Sequence, residues 1–231
     1  MKKLKLVVLG LMISATSLVA AEKGKHLFIL SGQSNMANLD ENISFVPAVE
    51  KEFGKDNVIV VKDAKNGQPI SRWYRKYKPA NGDMPSPIGD LYDNLMVKVQ
   101  AAIKGQSITT VTFVWMQGER EAALSQGEIY ADSLKGLVAQ LSADLKRDDL
   151  SVVIGRINDY AMDKKSHPHW TMVRDAQVQV AKELPRADWV DTDDLNGPKN
   201  GIHAIKDGYV TLGARFAEKA ILLINSSNAA R

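Results

Sequence analysis

The stretch Phe28-Ile29-Leu30-Ser31-Gly32-Gln33-Ser34-Asn35-Met36 runs from a short apolar segment into a serine set among small, hydrogen-bonding residues. The run from His26 to Leu30 is too short for a core helix and follows the charged residues Glu22, Lys23 and Lys25, which suits a buried parallel strand. Gly32 permits a sharp exit from that strand. A serine just beyond it, at the start of a helix, has its hydroxyl at the carboxyl edge of the sheet and its own N–H in the anion-binding first turn. Ser34 therefore reads as a nucleophile, set against the simpler reading of a helix cap, a position where Ser and Asn are common.

Outward from this stretch, apolar runs and helical patterns alternate. Further strands are expected at Asn57 to Val61, Ile108 to Met116, Leu150 to Ile157 and Trp189 to Asp191. Helices are expected over Phe45 to Phe53, Asp90 to Ile103, Ile129 to Leu145, Met172 to Leu184 and Tyr209 to Ile224, each with apolar residues three or four apart. Asp63 to Pro87 is rich in Gly and Pro without a period, so it reads as a long loop, and long loops in compact domains are usually functional. Five strands alternating with helices imply an α/β fold whose parallel sheet is covered on both faces.

The first residues hold Lys2, Lys3 and Lys5 and then an apolar run from Leu6 to Ala20. This reads as a signal peptide over residues 1–21, cleaved after Ala21, because the run falls short of the roughly 20 apolar residues a bilayer span needs. Export to a secreted or periplasmic location is the expectation, with one domain over 22–231 and no membrane span once the signal is removed. Cysteine is absent, so the core alone must hold the fold. The formal charge of +3 comes from 30 basic and 27 acidic residues, and loss of the three signal lysines leaves 27 against 27. Such a balance gives no support to a nucleic-acid partner.

Gly-Gln-Ser34-Asn-Met, with Trp115-Met116-Gln117-Gly118-Glu119 and Gly201-Ile202-His203 far downstream, resembles the SGNH hydrolase superfamily. Within it the chain is similar to the sialate O-acetylesterase-like group and carbohydrate esterase family 6. The resemblance implies a three-layer α/β/α fold with a five-stranded parallel sheet in the flavodoxin-like order 2-1-3-4-5. It also implies a serine esterase acting without a cofactor on O-acetyl groups of sugars or polysaccharides. Ser34 is then the nucleophile and His203 the base, while the Ser34 N–H, the Gly67 N–H and the Gln117 amide receive the oxyanion. The other histidines, His26, His167 and His169, sit where structural or solvated roles are common. No metal site is expected from His167-Pro168-His169.

One departure stands out. The position three residues before His203, where the family commonly has aspartate, is Asn200. A neutral amide cannot stabilise an imidazolium as a carboxylate does, and the serine-protease example of such a swap loses about 10⁴ in turnover. Glu119, beside Gln117, is the substitute acid in motif terms, or else a structural carboxylate near Ser34; Asp194 is a weaker candidate. Arg120 and Glu121 also differ from the small residue and aspartate often found there. Arg72 and Trp73, with Tyr74, either line a sugar site, since aromatics stack on sugar faces and arginine pairs with carboxylates, or pack the long loop. The alternative is a catalytically impaired carbohydrate-binding protein of the same fold, which Asn200 motivates. A lipase or thioesterase of the superfamily is a third reading, without an apolar lid segment to support it.

Overall fold

The structure, a computed structural model, describes residues 24–163 and 165–229. The expected signal peptide and its cleavage point lie outside the described residues. Five strands form one sheet: β1 (Lys25–Gly32), β2 (Val58–Ala64), β3 (Ile108–Met116), β4 (Ser151–Gly155) and β5 (Ala187–Val190). Their order is β2-β1-β3-β4-β5 and every pairing is parallel, so the expected fold class and strand order are both borne out. The helices are α1 (Ser34–Asn38), α2 (Phe45–Phe53), α3 (Asp90–Ile103), α4 (Glu119–Ala123), α5 (Tyr130–Leu145), α6 (Trp170–Glu183) and α7 (Lys206–Ala229).

The sheet is flat in sequence and deep in space. Phe28, Ile29 and Leu30 in β1, Phe113, Val114 and Trp115 in β3, and Val152, Val153 and Ile154 in β4 are all essentially inaccessible to solvent. Strands buried on both faces carry continuous apolar runs instead of alternation, because helices cover both sides of a parallel sheet. Helix α2 packs on α7 over one face and α5 on α6 over the other. The inward residues of α5 are Leu134, Leu137, Val138 and Leu141, as its spacing requires.

The register decides where the functional loops emerge. Gly32 pairs with both Ala64 and Met116, Met116 with Gly155, and Gly155 with Val190, so all five strands end at one level. After β1 the chain turns to β2 on one side, and β3 later fills the other side. The crevice between the β1 and β3 exits is thus the switch point where α/β sheets hold their ligands. At that crevice a Cβ on Gly32 would lie 2.0 Å from the Met116 carbonyl oxygen, with φ at +141°. Only glycine fits, and the Gln33 N–H then donates to that same carbonyl at 2.9 Å.

Three local features differ from expectation. Helix α7 starts at Lys206, ahead of Tyr209, because its first turn is polar and shows no apolar period. Helix α4 is five residues long, too short to reveal a period at all. The loop after β2 is pinned to the core instead of lying free: Ile70, Trp73 and Tyr77 are buried, and Trp73 meets Trp115 edge to face at 5.3 Å. Among the described residues no helix is long and apolar enough to cross a membrane.

Candidate active site

Ser34 opens α1 two residues beyond Gly32, and His203 lies in the loop just before α7. The Ser34 hydroxyl and the His203 Nε2 are 2.9 Å apart, a hydrogen bond spanning 169 positions of chain. Ser34 is buried except for the face turned to the cleft, while His203 is exposed. The depression holding both measures about 280 Å³ and is walled by Gln33, Asn66, Gly67, Glu119, Arg120 and Ile202 among others. A hydroxyl bonded to an imidazole at this distance is the arrangement by which a serine is activated as a nucleophile.

Gly67 lines the same cleft as Ser34, at φ +66°, and a Cβ there would meet nothing within 4 Å. Its N–H is the one expected at the oxyanion. Gln117 is placed otherwise. It is fully buried below the cleft, and its Nε2 donates to Gln33 Oε1 at 3.2 Å, to the Gln68 carbonyl at 3.2 Å and to Glu121 Oε2. With two amide hydrogens spread over three acceptors, Gln117 anchors the Gly67 loop from behind. Glu121 does the same, accepting the Ile70 N–H at 2.6 Å through its other oxygen.

Arg72 and Trp73 are not brought to the cleft, which corrects the expectation that they line a sugar site. Burial of Trp73 against Trp115 removes its faces from solvent. Arg72 turns away with it, bound to Asp90 by two contacts of 2.6 Å and to Gln68 Oε1 at 2.7 Å. It faces a separate depression bounded by α3. In their place the cleft takes Arg120 and His167, the latter packed edge to face on Trp170. No period or motif marks His167; only the fold of the loop before α6 does.

None of Asn200, Asp194 and Glu119 is hydrogen-bonded to the imidazole of His203. Asn200, at φ +45°, accepts from Asn196 instead of reaching His203. Asp194 is held by Arg215 at 2.7 Å. Glu119 lines the cleft but accepts from Asn35 Nδ2 at 2.8 Å through Oε1, and its Oε2 has no partner among the described residues. Among the described residues no ion pair joins a carboxylate to His203.

A family model described as carbohydrate esterase, sialic acid-specific acetylesterase, matches residues 37–222. No curated protein matches the chain. Among solved structures, a protein from Arabidopsis thaliana superposes with a TM-score of 0.66 at 20% identity, over 86% of this chain and 98% of that one. A carbohydrate acetylesterase from Xanthomonas citri gives 0.62 at 17% identity over 84% of this chain, which spans 55% of the Xanthomonas chain. A member of the lipolytic G-D-S-L family from Veillonella parvula gives 0.54 at 16%, covering 84% and 97%. These structural likenesses bear on the fold, which is that of the SGNH and G-D-S-L hydrolases.

Two carboxyls under the cleft titrate unusually. Burial pushes Glu119 up to about 7, against the opposing hydrogen bond from Asn35. Burial likewise pushes Glu121 up to about 7, with bonds from Gln117 and the Ile70 N–H opposing and the nearby Glu119 adding to the rise. A carboxyl with a folded pKa above its unfolded value of 4.5 holds its proton more tightly when folded, so stability is greatest below that value and declines as pH rises to about 7. Arginine-bound carboxylates such as Asp90 are shifted down and titrate below this window. Urea unfolding should therefore show stability falling between about pH 5 and about pH 7, with a shallower slope in Glu121→Gln. A slope of the opposite sign would show that these carboxyls are charged in the folded protein.

Proposed function

The chain belongs to the family of sialic acid-specific carbohydrate acetylesterases, and on that premise we propose that it removes acetyl groups from sugar hydroxyls through an acetyl-serine intermediate. The 2.9 Å contact between Ser34 and His203 at the switch-point crevice carries this reading. Ser34 Oγ attacks the acetyl carbonyl carbon while its proton passes to His203 Nε2. The oxyanion faces the N–H of Ser34, in the unpaired first turn of α1, and that of Gly67. As the intermediate collapses, the bond to the sugar oxygen breaks and His203 returns the proton to that oxygen. Water then attacks the acetyl-serine carbonyl while His203 accepts its proton, and as the bond to Ser34 Oγ breaks His203 returns that proton to Oγ, releasing acetate.

The size of the cleft supports a small acyl group. At about 280 Å³ it falls near the lower limit of ligand pockets, roughly 300 Å³, leaving room for an acetyl ester with part of a sugar ring. Arg120 at the cleft wall is exposed, and its guanidinium has no carboxylate partner among the described residues. A sugar acid such as sialic acid would present its carboxylate to that group. A second reading, a sugar-binding protein without turnover, draws on Asn200 and the unassisted imidazole. The apolar run before Ala20 supports export, with cleavage after Ala21.

Ser34→Ala should lower hydrolysis of aryl acetates and acetylated sugars by at least about 10³-fold without unfolding the protein. A fluorophosphonate should label Ser34 of the wild type, as read by mass spectrometry. Hydrolysis retained in the variant sinks the proposal, and sugar binding with neither turnover nor label establishes the binder instead. Arg120→Ala should raise KM about tenfold for O-acetylated sialic acid and leave a neutral acetyl sugar unchanged; equal effects on both would remove the arginine from substrate selection. Protein recovered from the medium or periplasm should begin at Glu22, whereas an uncleaved cytoplasmic chain speaks against export.

A further inference from the structure

Two features of the site are unexplained by the reaction as described: a histidine bonded to no carboxylate among the described residues, and a buried asparagine with both side-chain polar atoms engaged. Asn35 follows the nucleophile directly and is almost inaccessible to solvent. Its Nδ2 donates to the Ile202 carbonyl at 3.1 Å and to Glu119 Oε1 at 2.8 Å. Its Oδ1 accepts from the Ala204 N–H at 3.1 Å and from the Tyr209 hydroxyl at 3.2 Å. Ile202 and Ala204 are the residues on either side of His203. One amide thus grips the main chain before and after the base, while its own backbone is continuous with Ser34.

A triad acid serves two ends, holding the imidazole in place and stabilising its charge. The first of these is met here through the backbone. We propose that Asn35 is the positioning residue for His203, fixing the imidazole against Ser34 from the main chain where the acid is missing. Glu119 and Tyr209 act behind it by fixing the plane of the amide, one bonding each end. Asn158 adds a grip from another side, donating to the Gly201 carbonyl at 3.1 Å, and is itself held through its own carbonyl by the Trp170 indole at 2.6 Å. The burial that keeps Glu119 protonated up to about 7 fits this role, since a neutral acceptor beside an amide needs no counter-ion.

The geometry also says which step suffers when the grip is lost. Asn35 does not line the cleft, so substrate contacts survive its removal, while the Ser34 to His203 distance does not. A misplacement of about 1 Å in such a pair costs on the order of 10² in rate.

The proposal rests on the esterase reading, and its test separates the two. Asn35→Ala should lower kcat about 10²-fold with KM within about threefold. Tyr209→Phe, which removes only the hydroxyl bonded to Asn35 Oδ1 and guards against a variant that fails to fold, should lose less, about tenfold. Amide hydrogen exchange at Ala204 should speed up at least about tenfold in Asn35→Ala, independent of any turnover. The proposal is overturned if kcat per fluorophosphonate-labelled site stays within about threefold of wild type while only the melting temperature falls. Unchanged exchange at Ala204 overturns it equally. A wild type that neither hydrolyses acetyl esters nor takes the label defeats the esterase reading instead, and the exchange measurement then decides the clamp alone.

Discussion

The close approach of β1 to β3 at their carboxyl ends is the constraint from which the site follows. With no side chain at Gly32, the backbone beyond it lies against the Met116 carbonyl, and the Gln33 N–H closes the gap. The two central strands therefore release their loops at one level, Ser34 from the first and Gln117 to Glu119 from the second. Any residue with a Cβ at position 32 pushes these exits apart. Ser34 would then lose its level relative to His203, which arrives from a separate loop and is tied to it by hydrogen bonds.

Below the cleft the protein accepts buried polarity to gain rigidity. Glu121 ties α4 to the Ile70 N–H, Gln117 ties the same loop at Gln68, and Gln33 accepts from both Gln117 and the Arg120 N–H. Buried carboxyls are costly when charged, and burial answers this by keeping them protonated well above the usual range. Two polar atoms are left over among the described residues of this cluster, Gln117 Oε1 and Glu119 Oε2. Groups left unsatisfied at such a place are tolerated where a loop must be held on several sides at once.

The strands were legible because residues buried on both faces leave continuous apolar runs, as in Phe28 to Leu30 and Val152 to Ile154. The helices were legible where, as in α5, one face is buried and the opposite face is wet. Ser34 and His203 were legible from their motifs, as was Gly67 as the turn facing them. Arg72 and Trp73 misled because a loop's composition says nothing of which way it faces. Trp73 suits a sugar and a core equally, and packing against Trp115 chose the core. Asn35 escaped notice as an ordinary residue of a helix start, since its value lies in partners 84 and 167 positions away. Glu119 reads from the sequence either as the acid for the imidazole or as a structural carboxylate near Ser34, and its bond to the Asn35 amide is of the second kind.

The span of chain between nucleophile and base has a temporal meaning. Synthesis proceeds from the amino terminus, so Ser34 emerges with the first strand, while His203 follows the last strand and is set only when α7 docks against β4 and β5. A nascent or clipped fragment ending before His203 carries the Ser34 hydroxyl without the imidazole that bonds it.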